Sequence, residues 1–392
     1  MKICFAICEY NPFHNGHYRH IEIIKNEIKP DITAVILSGN FTQRGEIAVM
    51  DKYTRAAHAV KAGADIVFEL PTAFAVSPAE IFAKGGIKLI NSIKGDKVLC
   101  FGTESAKKSK LIATASALLS ETKEFKAALK EELKTGVSYI TAKVNALSKM
   151  DIDDLDFDLL KSPNNILGIE YAKAVIESNS DIDLYPIIRS GNGYNDTALT
   201  DESLPSALAI RTALKNGDID KAKQFVPKFV SDDMPSKMPN IDDLIYYSLL
   251  RSTKSDLRKI TDCTEGLENR IKALSKTSGS LDELKDKLKT KRYTYTRINR
   301  ILTANFLGIE NSFVKKCLNG KLYLKVLAVN KNEPEILSYM SKYSSIPLIT
   351  RKSDVAALKG ISKECFLKDA FAVDVYNYIT ERRDNEYETK FI

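Results

Sequence analysis

The chain has 392 residues, 44% apolar and 28% charged, with a formal net charge of +7, the balance of a globular protein of two or three domains. No apolar run reaches the roughly 18 residues a membrane span needs, and six cysteines without a CxxC pair argue against a disulfide framework or a zinc–thiolate site. Glu9 and Asn11 interrupt the first apolar run before any small-residue cleavage site, so no signal peptide and a cytoplasmic location are expected.

In chain order, KICFAI (2–7) reads as a buried strand, and Ile21, Ile24 and Ile28 then recur at helical spacing from Asn15 to about Ile28. TAVILSG (33–39) predicts a second strand, YTRAAHAVKAGA (53–64) a helix closed by Gly63, and DIVFELP (65–71) a third strand stopped by Pro71. SPAEIFAKGGIKLINSI (77–93) predicts a helix and KVLCFG (97–102) a fourth strand. This alternation implies an α/β fold with a parallel sheet and right-handed crossovers. Residues 105–150 read as two lysine-rich amphipathic helices, followed by a helix at 162–178, a strand LYPIIRS (184–190), a loop GNGYND (191–196) and a helix SALAIRTALKNG (206–217).

A three-proline connector (225–240) follows, then an almost wholly helical stretch (241–315) and two short strands, YLKVLAVN (323–330) and IPLIT (346–350), as a small α/β element. The expected division is 1–217 and 218–392. Charge divides the same way: residues 216–392 hold 32 Lys and Arg against 24 Asp and Glu, the rest 26 against 27. Such an excess suits a polyanionic partner, and also a plain solvated lysine-rich surface.

Three of the four histidines, His14, His17 and His20, lie within seven residues just past the first strand. Ligands of an open parallel sheet bind beyond the carboxyl ends of its strands. There, Gly16 lets backbone approach a ligand, the next helix offers free N–H groups and its positive end, and His14 and His17 can donate to phosphate oxygens as charge develops. A metal set and incidental helix-start residues are the other readings; His20 either joins the site or packs near Ile24. SGNFTQRGEIAVMDKYTR (38–55) follows the second strand at the same mouth. Gly39 and Gly45 bracket Asn40, Gln43 and Arg44, a density of amide and guanidinium groups that suits substrate binding as well as a solvated turn, and Lys52 and Arg55 would add charge for pyrophosphate or RNA. Asp65 and Glu69 read as structural or magnesium-organising. KTKRYTYTRINR (289–300) interleaves basic groups with Tyr293 and Tyr295, a pattern for phosphates and stacked bases or for an exposed helix with buried tyrosines. At helical spacing Arg292 and Tyr295 fall one turn apart, as do Arg297 and Arg300.

HNGH after a strand resembles the HxGH signature of the nucleotidyltransferase superfamily, which shares its fold with class I aminoacyl-tRNA synthetases. The longer strings EYNPFHNGH (9–17), SGNFTQRGE (38–46), KYTRAAHAVKAGADIVFELP (52–71), FGTES (101–105), SPNNILGIEY (162–171) and KRYTYTRINRIL (291–302) resemble, in order and over nearly the whole chain, the tRNA(Met) cytidine acetate ligase family. The resemblance implies a Rossmann-like HxGH nucleotidyltransferase domain and a mostly helical tRNA-binding region. It implies activation of acetate by ATP, with Mg²⁺, to acetyladenylate and pyrophosphate, then acetyl transfer to N4 of the wobble cytidine of elongator tRNA(Met). His14 and His17 would be catalytic. Ile7, Cys8, Glu9, Tyr10, Asn11, Pro12, Phe13, Asn15, Gly16, Tyr18, Arg19 and His20 would cradle ATP, completed by Gly102, Asn164 and Arg189, with Asn165 open to the same amide role. Gly39, Asn40, Gln43, Arg44, Lys52, Ser206 and Arg211 would form a substrate or phosphate loop. Lys291, Arg292, Tyr293, Tyr295, Arg297 and Arg300 would hold tRNA. One departure stands out: an SSTxxR-like motif keeps Ser206 and Arg211, but Leu208 replaces the threonine hydroxyl. An adenylyltransferase acting on a phosphorylated metabolite, and an RNA-binding protein with a vestigial nucleotide pocket, are the rival readings.

Overall fold

The computed structural model describes residues 1–105, 107–120, 122–137, 139–150, 157–188 and 206–392. One sheet runs through it in the order β5-β4-β1-β2-β3-β6-β7, with β8 also on β6. Strands β1 (Lys2–Cys8), β2 (Ile32–Ser38), β3 (Ile66–Leu70), β4 (Asp96–Thr103) and β5 (Asp183–Ile188) are parallel. Their inner positions are almost all apolar and buried, as strands covered on both faces must be. β2 flanks β1 on one side and β4 on the other, so strand order reverses at β1. A crevice opens at such a reversal, beyond the carboxyl end of β1 at Cys8.

All five strands expected in the first part are present, with ends shifted by a residue or two. The helix expected from Asn15 to about Ile28 is α-helical only over Asn15–Ile23; it widens to a π turn at Ile24–Ile28 and stops at Lys29, whose φ is +50°. Among the described residues of 105–150 there are three helices rather than two, Lys108–Leu119, Lys123–Lys134 and Tyr139–Ser148. The break before the second is made by Thr122, whose hydroxyl accepts the Phe125 N–H as an N-cap. A helical turn at Thr72–Ala75 follows Pro71, its first N–H donating to Asp369 from the far end of the chain. The GNGYND loop and Arg189 lie outside the described residues.

After the connector come the expected helices, among them Asp242–Arg251, Leu267–Leu274, Leu281–Leu288 and Tyr295–Leu307. The small α/β element is present but is part of the main sheet. β6 (Leu324–Val329) is buried throughout and pairs antiparallel with β3, and its other edge takes β7 (Leu348–Ile349) and β8 (Lys390–Phe391). The sheet therefore crosses the expected boundary at residue 217. One apolar core is continuous from Phe5, Ile36 and Phe68 to Leu249, Leu284 and Ile301. All six cysteines are free thiols, and among the described residues no helix is long and apolar enough to cross a membrane.

Candidate active site

The HNGH turn sits where β1 ends. His14 is the N-cap of the helix Asn15–Ile23, its Nδ1 accepting the Gly16 N–H at 3.0 Å, while His17 Nδ1 accepts the His14 N–H at 3.3 Å. An imidazole nitrogen that accepts from a backbone N–H carries no proton, so in both rings the proton sits on Nε2. The rings stack, with centroids 3.7 Å apart. Two Nε2–H donors are thus held side by side at the positive end of a helix, an arrangement suited to an anion that gains charge. Gly16 also makes room for the His14 ring: a Cβ there would press on it at 2.9 Å. The expected free N–H groups are also taken. Asn15 donates to the Phe225 carbonyl at 3.2 Å, Gly16 to His14, and His17 to the His14 carbonyl at 2.9 Å. The backbone amides at this helix start are therefore already engaged within the protein.

The rest of the cradle divides by burial. Ile7, Tyr10, Asn11, Pro12 and Phe13 are buried, Cys8, Glu9 and Asn15 are half-buried, and Tyr18 and Arg19 are exposed on the helix. His20 has Nε2 3.2 Å from Cys100 Sγ on β4, a contact that suits the packing reading. Gly102 lies near the carboxyl end of β4.

Loop 39–47 is wired to this turn. Gln43 N–H donates to Glu9 Oε1 at 2.6 Å, and Asn11 Oδ1 accepts the Val49 N–H at 2.8 Å. Burial pushes the Glu9 carboxyl up, opposed by the Gln43 hydrogen bond and by Arg211 and Arg44. Asn40 is buried and structural, its Oδ1 accepting the Lys52 N–H at 2.8 Å. Lys52 is no phosphate ligand here: it is fully buried and paired with Glu69 at 2.6 Å and Glu386 at 2.5 Å. Gly39 belongs to that pair, since a Cβ would stand 2.6 Å from Glu69 Oε1. Arg55 is likewise fully buried rather than offered to pyrophosphate or RNA.

Ser206 caps the helix Ala207–Lys215 through the Ala209 N–H at 3.1 Å. Arg211 donates to the Asn11 carbonyl at 2.8 Å and lies 3.4 Å from Glu46, so it underpins the signature turn from behind. Glu104, which sequence reasoning passed over, organises the β4 exit. Its carboxylate accepts both backbone N–H groups that open the helix Pro163–Glu177, from Asn164 at 3.1 Å and Asn165 at 2.8 Å, and the Asn164 amide at 2.8 Å. Asn165 is fully buried and holds Glu104 N–H and Ser105 in return, which leaves half-buried Asn164 nearer the mouth. The sequence carries little signal for this, because Ser162 is itself a favoured N-cap residue, yet its side chain makes no cap bond here.

The basic segment is less uniform than its sequence. The helix begins only at Tyr295, with Thr294 as N-cap, so Arg292 and Tyr295 are not partners on one helical face. Tyr293 is buried and carries Arg297 over its ring at 5.2 Å. Arg297 also donates to the Asp262 carbonyl at 2.8 Å. Arg300 is mostly buried, reaching the Gln43 carbonyl at 3.4 Å. Lys291, Arg292 and Tyr295 are exposed, with Lys289 over the Tyr295 ring at 5.0 Å. Of the six expected RNA contacts, three therefore face solvent and three fasten the helix Tyr295–Leu307 to its surroundings.

The HIGH Nucleotidyl Transferase family model matches residues 1–390. The tRNA(Met) cytidine acetate ligase of Clostridium acetobutylicum is 39% identical over 367 residues, 90% of each chain. That of Thermoanaerobacter sp. is 37% identical over 385 residues, 96% of this chain and 95% of its own. The chain belongs to the tRNA(Met) cytidine acetate ligase family of HIGH nucleotidyltransferases. The crystal structure of Thermotoga maritima TmcAL in its apo form matches with a TM-score of 0.89 at 29% identity, covering 98% of this chain and 97% of that one. The same protein bound to alpha-thio ATP matches with a TM-score of 0.86. These family matches favour the ligase over the metabolite adenylyltransferase.

Within this ligase family fold, the mouth and the basic helix meet at Gly45, whose φ is +71°. A Cβ there would collide with the backbone of Asn299 and Arg300, and Thr303 Oγ1 donates to the Gly45 carbonyl at 2.8 Å. Gly45→Ala is expected to cost about 2–4 kcal/mol, the left-handed conformation and the overpacking together. Urea denaturation checks this; a change below about 0.5 kcal/mol would mean that the loop does not need this contact.

Proposed function

We propose that this chain forms acetyladenylate from acetate and ATP, and then acetylates N4 of the wobble cytidine of elongator tRNA(Met), in the cytoplasm. The observation that carries the reading is the stacked His14–His17 pair just past the end of β1, with each Nδ1 accepting a backbone N–H. In the first step an acetate oxygen attacks the α-phosphorus and pyrophosphate leaves. Acetate needs no general base, so the demand is on stabilising charge, which the two imidazoles and the helix end meet. In the second step the N4 amine attacks the acetyl carbonyl and AMP leaves with the bonding electrons, the amine losing a proton. An exocyclic amine conjugated with its ring is a weak nucleophile, so positioning of the unstacked base carries much of this step. Among the described residues no group of three His, Cys, Asp or Glu side chains could hold a metal ion. We assign Mg²⁺ to the ATP it accompanies, as part of the substrate.

The test is pyrophosphate exchange into ATP with and without acetate, followed by nucleoside mass spectrometry of unmodified elongator tRNA(Met). Acetate-dependent exchange and N4-acetylcytidine support the reading; exchange driven by a phosphorylated metabolite instead would replace it.

Lys291 and Arg292 are exposed cations of the basic segment, beside Lys289 over the Tyr295 ring. Replacing both with alanine is expected to weaken tRNA binding and to flatten log K against log salt by about 1.4–1.8, two phosphate contacts' worth. Binding measured at three salt concentrations checks this, and an unchanged slope would move the RNA face elsewhere.

A further inference from the structure

We propose that Arg55 is a positioning residue for the adenylate-forming step, acting through His17. Arg55 lies in the first turn of the helix Lys52–Lys61 and is fully buried. No carboxylate pairs with it among the described residues. Its guanidinium is spread instead over four main-chain carbonyls. Nε donates to Met50 at 2.8 Å, one terminal nitrogen to Glu9 at 2.5 Å and Ser38 at 3.1 Å, and the other to Gly39 at 2.5 Å. Glu9 is the exit from β1, and Ser38 and Gly39 are the exit from β2. One buried cation thus clips together the two strand ends from which the signature turn and loop 39–47 leave.

The carboxylates of Asp51, Glu9 and Glu69 act on it only through space, and burying a charge with no direct ion pair is unfavourable, so packing alone does not account for it. Its planar fork does: five N–H donors in fixed directions reach carbonyls on both exits, which a lysine ammonium cannot do at once. The link to the histidines runs through the next residue. Tyr10 has a φ of +47°, and its fully buried ring lies 4.8 Å from His17 and 4.8 Å from Phe13. Fixing the Glu9 carbonyl fixes the Glu9–Tyr10 peptide plane. That plane aims the Tyr10 ring, and the ring sets the tilt of His17, whose Nδ1 must receive the His14 N–H.

The inference rests on the proposed acetate activation, and two readouts keep their failures apart. The first is a cycle of wild type, Arg55→Lys, His17→Ala and the double variant, in acetate-dependent pyrophosphate exchange. Arg55→Lys is expected to lower kcat by about tenfold or more, with KM for ATP changed less than about threefold. In the His17→Ala background the same substitution is expected to change kcat by less than about twofold, because residues acting as a unit are non-additive. Additive losses, or a loss equal to the unfolded fraction, would assign Arg55 a general structural role and overturn the proposal. Should Arg55→Lys not fold, Arg55→Gln buries no charge and carries the same expectation.

The second readout needs no turnover. The chain has only four histidines, so imidazole Cε1–H resonances are few enough to assign. Arg55→Lys is expected to shift those of His14 and His17 and to leave His20, held at Cys100, in place. Unmoved His14 and His17 resonances would overturn the proposal whatever the wild-type protein catalyses, while absent wild-type exchange with shifted resonances would overturn only the assigned reaction.

Discussion

His14→Asn is expected to fold as stably as the wild-type chain, to within about 0.5 kcal/mol, and to lose pyrophosphate exchange by about 10²–10³-fold. The two effects separate because His14 has two jobs on two nitrogens. Nδ1 caps the helix by accepting the Gly16 N–H. An asparagine Oδ1 takes over that task, being among the preferred N-cap acceptors. Nε2–H is the donor proposed for the departing pyrophosphate, and asparagine has no donor at that reach. His14→Ala removes both and is expected to lose about 1 kcal/mol of stability as well. His17 mirrors this with Nδ1 on the His14 N–H, and His17→Ala is expected to lose exchange by a similar factor. Thermal melts beside exchange rates make the check. A His14→Asn protein that exchanges at the wild-type rate would leave helix capping as the whole purpose of the histidine pair and put the chemistry elsewhere.

The architecture was legible because it is written in local patterns. Unbroken apolar runs separated by glycine and proline marked β1 to β5, and the place of HNGH just past the carboxyl end of β1 pointed to it before any contact was known. What local pattern cannot show is which long-range partner a polar group takes. The space at Gly16 depends on the ring of His14, and the Asn15 N–H is met by the Phe225 carbonyl from the distant connector. Arg297 and Arg300 read as RNA contacts because their spacing matched. Their donors are instead engaged by Asp262 and Gln43, far away in sequence. The small α/β element looked separate because β6 is distant in sequence from β3, and an antiparallel pairing of that separation leaves no periodic trace.

Lys52 is the sharpest case, and Lys52→Met is expected to cost about 3–5 kcal/mol of stability while leaving KM for ATP unchanged in the folded protein. In sequence it stands in a polar loop at the ligand mouth. In the structure its Nζ bonds both oxygens of Glu69, at 2.7 and 2.6 Å, and Glu386 at 2.5 Å, with Lys325 the nearby second cation. Burial alone would push the Lys52 ammonium down, but Glu386 and Glu69 hold it above the usual lysine range. Burial also pushes the Glu386 carboxyl up to about 7, with Lys52 the main group holding it down. Methionine fills the space and removes that restraint. Both acids are then buried with a pKa raised above the usual 4.5, so each stabilises the fold only while protonated. Such stability is complete below about 4.5 and is lost as pH rises through the folded value. The deficit of Lys52→Met is therefore expected to be small near pH 5 and to grow towards pH 8, and adding Glu386→Gln should recover part of it at the higher pH. Urea denaturation at the two pH values decides the matter. A deficit that ignores pH, or a raised KM for ATP with stability intact, would return Lys52 to the phosphate-binding role that its position in the sequence suggests.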